Sequence, residues 1–135
     1  MPAMPKPERV SVTTSAKREV IDITEGAQEL VTRAGIRDGL CHLFVQHTTA
    51  ALVVQEVGEG TEEDLLEVVD KMIPKIEFRH AHDPSHAPDH MIASVLGPSL
   101  TVPVEAGQLS LGTWQRVLLV ELNGPRERSV LITCW

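Results

Sequence analysis

The chain has 135 residues, with 19 acidic against 12 basic side chains, a formal net charge of −7, and Phe44, Phe78, Trp114 and Trp135 as its aromatic residues. That length holds one domain with a core of its own and is too short to argue for two. The acidic balance excludes nonspecific attachment to nucleic acid, which needs a basic face, and so few aromatics exclude a stacking platform for single strands.

Residues 1 to 8, rich in proline, read as a flexible tail ahead of a single domain from 9 to 135. The tail lacks the apolar run of a secretory signal and no later run approaches membrane-spanning length, so a cytoplasmic protein without membrane contact is expected. Cys41 and Cys134 fall in strand patterns outside any CxxC spacing, which suits small buried side chains better than a disulfide.

Arg9 to Thr14 alternates apolar and polar residues and predicts a strand, and Glu19 to Ile23 predicts a second. Thr24 is placed to cap a helix running to about Ala34, with Gly35 as its stop. The strand Leu40 to Gln46 carries Cys41, Leu43 and Val45 on one face, leading to His47, and Leu40, His42, Phe44 and Gln46 on the other. His42 is therefore read as structural. Glu56 closes the next apolar run, Leu52 to Val54. Thr61 and Asp64 form a capping box for a helix that ends before Pro74, with Leu65, Leu66, Val68, Val69 and Met72 as its core stripe. Glu62, Glu63 and Asp64 complement the dipole of that helix rather than a metal.

Four of the six histidines, His80, His82, His86 and His90, follow within a few residues of one another. Pro84 and Pro88 forbid one continuous helix, so the expected order is a strand from Ile76 to Arg79, a loop from His80 to Ala87, and a short helix opening at Pro88 and stopping at Gly97-Pro98. Those three elements, with the end of the strand at His47, can aim ring nitrogens at one point. Imidazoles from separate segments, completed by a carboxylate or water, are how catalytic zinc or a similar divalent ion is held. The metal set read from this pattern is His47, His80 and His90; His82 and His86 stand equally as ligands or as partners of Asp83 and Asp89.

Beyond the histidines the text turns to strand: Leu100 to Val104, a turn at Glu105 to Gln108, Leu109 to Leu111 returning as a hairpin, Trp114 to Leu122, a tight turn at Asn123-Gly124-Pro125, and Ser129 to Cys134 pairing back. The fold class is α+β, a largely antiparallel sheet or sandwich with two or three helices. Val117 to Val120 runs without polar relief and needs cover on both faces, some of which a neighbouring subunit could supply.

Phe44 to Leu52, His80, Pro88-Asp89-His90, Leu111-Gly112-Thr113-Trp114-Gln115 and Asn123-Gly124-Pro125-Arg126 occur in the order seen in the YjbQ family, the secondary thiamine-phosphate synthase enzyme family, which the chain resembles from about residue 9 onward. The resemblance implies a sandwich-like α+β homotrimer whose shared histidines, matched here by His47, His80 and His90, line a pocket near the subunit boundary, often with a bound metal. It also implies a weak thiamine-phosphate synthase activity, coupling hydroxymethylpyrimidine diphosphate to a thiazole phosphate with loss of pyrophosphate. The chain departs from the family at Val57-Gly58-Glu59-Gly60, where members carry an Asn and an Asp-Pro, and at Ser85-His86, where many carry an acidic or Asp-Asn pair.

The leading expectation is a transferase acting on a phosphorylated small molecule, with zinc, or magnesium as the alternative, on His47, His80 and His90. Thr48, Thr113 and Arg126 are the candidate phosphate contacts, and Glu56 the base or fourth ligand, beside a catalytic role for His47. Two rival readings stand next to it: a non-catalytic trimeric module that captures a metal or small anion, and a loop whose imidazoles respond to pH.

Overall fold

The computed structural model describes residues 5–80 and 83–135. The described residues form three α-helices and eight strands: β1 Glu8–Thr13, β2 Glu19–Asp22, α1 Thr24–Ala34, β3 Gly39–Val45, β4 Ala50–Gln55, α2 Thr61–Met72, α3 Ala87–Leu96, β5 Ser99–Glu105, β6 Gln108–Leu109, β7 Arg116–Glu121 and β8 Glu127–Cys134. A single 3-10 turn, Pro84–His86, leads into α3.

All strand pairs are antiparallel and they divide between two sheets, one in the order β1-β8-β3-β5-β6 and the other β2-β7-β4. The sheets face each other across a core of Cys41, Leu43, Val45, Val102, Val104, Val130 and Ile132 from the larger and Ala50, Leu52, Val117 and Leu119 from the smaller, and Ala27, Leu30 and Val31 of α1 join the same core. On the opposite face of the smaller sheet, Ala51, Val120 and Leu122 pack on Val69 of α2 and on Ile92 and Ala93 of α3. The α+β sandwich expected from the sequence is what forms. The uninterrupted apolar text of β7 is explained by this layering: its two faces serve two cores, and the cover comes from α2 and α3 of the same chain.

Several local expectations are corrected. β7 and β8 do not pair; the Asn123-Gly124-Pro125 turn carries the chain from one sheet to the other, and β8 lies between β1 and β3. Glycine is required in that turn, since a Cβ at Gly124 would sit 2.3 Å from the Ala16 carbonyl oxygen. Ile76 to Arg79 is not a strand; it pairs with neither sheet and Ile76 stays exposed. Thr24 lies inside α1 rather than capping it; its hydroxyl bonds Asp22 at 2.6 Å and accepts the Val117 N–H at 2.8 Å. The Thr61–Asp64 capping box is absent, Gly60 takes the cap position with a φ of 85°, and the Thr61 hydroxyl donates to the Gly58 carbonyl at 2.8 Å. Val68 and Met72, expected in the core stripe of α2, are exposed; Val69 is the residue buried. Trp114 precedes β7 in an exposed turn. Gly35 does stop α1, in the left-handed region at φ 70°, and Cys41 and Cys134 are free, buried thiols on paired strands, with burial pushing the Cys41 thiol up to about 12.

Candidate functional site: a histidine-lined cleft

β3 ends at Val45 and the chain turns through His47, Thr48 and Thr49 before β4 begins at Ala50. This short turn faces the outer side of α3. Between them lies an open cleft of about 420 Å³ lined by His47, Thr48, Ala50, His90, Ala93, Ser94 and Pro98. Two imidazoles from segments far apart in the chain therefore line one cleft.

The turn is gripped from beneath by a buried polar cluster. Arg128 and Glu121 are 1% and 0% exposed and form an ion pair in which the guanidinium Nε donates to both carboxylate oxygens, at 2.9 and 3.1 Å. Arg128 Nη2 also donates to the Thr49 carbonyl at 3.0 Å and the Thr49 hydroxyl at 2.9 Å. Glu121 accepts further bonds from the Thr14 hydroxyl and the Leu122 and Asn123 amides. Burial alone would raise the Glu121 carboxyl, but bonds from Arg128, Thr14 and the Asn123 amide outweigh it and hold the group below its ordinary value. Every fully buried side-chain polar atom among the described residues has a partner, so the cluster is satisfied.

His47 is fixed by the neighbouring residue of β8. Its Nε2 accepts the Ser129 amide at 2.8 Å. Burial, and then the positive charges of Arg128 and Arg126 against the opposing field of Glu121, lower its affinity for a proton, so the ring is neutral near pH 7. Across the cleft, α3 is anchored by Asp89, 2% exposed, which pairs with Lys17 at 3.1 Å and Arg18 at 2.9 Å. Pro88 suits the first turn of α3, and this places His90 one turn in.

His80 lies against His90, the rings stacked with centroids 5.0 Å apart and 22° between planes. His86 is engaged at both nitrogens: the Asn123 amide donates to Nδ1 at 2.8 Å and Nε2 donates to Asp83 at 2.8 Å. His82 lies outside the described residues. Glu56 lines a different groove, with Gln55, Thr61, Asp64, Leu65 and Val68. Thr113 sits in the exposed turn beside Trp114, and Arg126, also exposed, bonds the Asn123 carbonyl through Nε at 2.9 Å. The structure thus brings together His47, Thr48 and His90, adds His80 beside His90, and leaves Glu56, Thr113 and Arg126 outside the lining of the cleft.

Of the three histidines expected to hold a metal, His47 and His90 line the cleft and His80 lies beside His90. Among the described residues no three histidine, cysteine or acidic side chains are gathered to hold an ion. His80 and His90 meet face to face, which leaves their edge nitrogens to other partners, and His80 Nδ1 accepts the Asp83 N–H at 3.4 Å. The Nε2 lone pair of His47 is already taken by a backbone amide. Reasoning from the sequence missed Arg128, Glu121 and Ser129. The available signal was Glu121, a carboxylate ending an otherwise unbroken apolar strand and so bound to need a buried cation.

Comparison with known proteins follows the same outline. The family profile described as UPF0047 protein YjbQ-like matches residues 8–135. A UPF0047 protein of Archaeoglobus fulgidus is 42% identical over 124 residues, 91% of this chain and 96% of that protein, and one of Mycobacterium tuberculosis is 40% identical over 116 residues, 84% and 86%. Among solved structures, a YbjQ-like protein of unknown function from Sulfolobus solfataricus superposes with a TM-score of 0.88 at 36% identity over 95% of this chain and 94% of that one. A hypothetical protein of Aeropyrum pernix gives 0.89 at 35% identity over 96% and 98%. With sequence, fold and the order of its motifs in agreement over nearly its whole length, the chain belongs to the YjbQ family of UPF0047 proteins.

Proposed function

We propose that the cleft between the His47 turn and α3 binds a phosphorylated small molecule, and that the protein acts on it as a transferase of the thiamine-phosphate synthase type. The observation that carries this reading is the convergence of His47, Thr48 and His90 on one cleft. Ring N–H groups and hydroxyls are donors, and donors aimed into a partly desolvated cleft favour an oxyanion. In the coupling reaction such donors would hold the pyrophosphate that leaves as charge accumulates on it. No step of this reading passes through a metal.

The homotrimer implied by the family resemblance belongs to the same proposal. Trp114, Val95, Met72 and Val68 are apolar side chains left on the surface of the single chain, Trp114 being 74% exposed, and a second copy would give them cover. Light scattering on the purified protein tests this part, and a monomer at micromolar concentration would remove it.

The activity is tested by following pyrophosphate release from hydroxymethylpyrimidine diphosphate and thiazole phosphate, with the His47→Ala variant as control. Release by the parent and its loss in the variant supports a transferase. Binding of either substrate without release supports a non-catalytic anion-binding module instead. A cation-binding module is the second reading, favoured by the closeness of His80 and His90; elemental analysis finding a stoichiometric metal that His80→Ala and His90→Ala remove would support it.

A further inference from the structure

Ser129 lies where β3 has just ended, and its backbone groups face the chain leaving that strand. Its carbonyl accepts the Gln46 N–H at 3.1 Å, while its own N–H goes to His47 Nε2 at 2.8 Å. The imidazole stands in for the acceptor that the next residue of a longer strand would have offered. A backbone N–H can only donate, so the nitrogen it meets must present a lone pair. In a neutral imidazole one nitrogen carries the lone pair and the other the proton, which puts the proton of His47 on Nδ1. Turning the ring over by half a turn would set Cε1 against the amide and leave that amide without an acceptor.

Nδ1 is also open. Among the described residues nothing accepts a bond from it, and His47 is one of the residues lining the cleft. That cleft is the open space beside the ring. The turn that carries the ring is gripped at Thr49 by Arg128, one residue before Ser129, which anchors the backbone from which the ring projects.

We infer that His47 serves the cleft as a fixed Nδ1–H hydrogen-bond donor to an oxygen of an anionic, phosphate-bearing ligand, and not as a metal ligand. A cation needs the lone pair, and that lone pair is spent on the backbone; an oxyanion needs an N–H, and that is what remains. Thr48 contributes a hydroxyl to the same lining, and the positive charge of Arg126 is close enough to be felt at the ring. The inference rests on the cleft being a phosphate site, as proposed above, and it names the group that recognises the phosphate.

The test uses the full chain labelled with ¹⁵N, at neutral pH, in long-range ¹H–¹⁵N correlation spectra, the His47 signals being identified by their loss in His47→Gln. The expected pattern is a protonated Nδ1 and an unprotonated Nε2, with inorganic phosphate shifting Nδ1 and zinc leaving its proton in place. A proton on Nε2, or zinc displacing the proton from Nδ1, overturns the inference. A pair of variants gives a second measure: Asn at position 47 keeps an N–H donor near Nδ1 but is a poor metal ligand. His47→Ala is expected to weaken phosphate binding about tenfold or more and His47→Asn by about threefold or less. Equal losses in the two overturn the donor role. Failure of phosphate to bind the parent overturns the reading of the cleft, while the spectrum of the free protein still decides which nitrogen holds the proton.

Discussion

The two sides of the cleft are built on opposite plans. Beneath the His47 turn, Arg128, Glu121, Thr14 and Thr49 form a closed, buried network in which each polar group meets a protein partner. On the other side, residues 80 and 83–90 present Asp83, Ser85 and half-exposed rings of His80, His86 and His90, tied by hydrogen bonds and stacking at the surface. The same residue type thus does different work. His47 accepts the backbone N–H of Ser129, whereas His80 and His90 rest on each other at the surface. The ligand site proposed above would thus meet a firmly anchored turn on one side and a more exposed wall on the other.

The sharpest way to break this comparison is to remove one partner of the buried pair. Arg128→Met leaves Glu121 charged and unpaired, which should cost about 3–5 kcal/mol in urea unfolding, whereas Arg128→Met combined with Glu121→Leu should recover most of the loss. A cost below about 1 kcal/mol for the single variant would mean that the network does not support the turn.

Acid should separate the two sides next. The folded-state value of Glu121 lies below its ordinary 4.5, so its contribution is fully present above that pH and is lost as pH falls through the folded value. Urea midpoints of the parent should therefore fall on acidification below pH 4.5, and the Arg128→Met, Glu121→Leu double variant should show a shallower decline. Parallel curves for the two proteins would remove Glu121 as the cause.

Smaller effects belong to the exposed wall. His86→Ala breaks the bridge from Asp83 to Asn123 and should cost about 0.5–1.5 kcal/mol, measured by thermal unfolding. His80→Ala should change stability by no more than about 0.5 kcal/mol, since it removes one ring from a half-exposed stack. A loss of several kcal/mol at His80 would show that this wall is as structural as the other.

Much of the architecture was legible in the chain because it rests on local rules. The period-two patterns of β1, β3 and β5, the Gly35 stop and the Pro88 entry to α3 follow from side-chain alternation and backbone restriction, which neighbours in sequence decide. The strand read at Ile76 to Arg79 failed because a strand needs a partner edge, which no local pattern can supply. The core stripe assigned to α2 was too wide because periodicity gives an apolar face but not how much of it a neighbour covers.

By itself, then, the sequence determined an acidic α+β domain of the YjbQ family, with a histidine after β3 and more histidines around the start of α3. Only the tertiary structure decided that β7 and β8 part into different sheets, that Arg128 and Glu121 pair beneath Thr49, and that the Ser129 amide occupies one nitrogen of His47. The reason is physical: a side chain's type is written in the chain, but which of its atoms is left for a ligand depends on groups brought to it from 82 positions away.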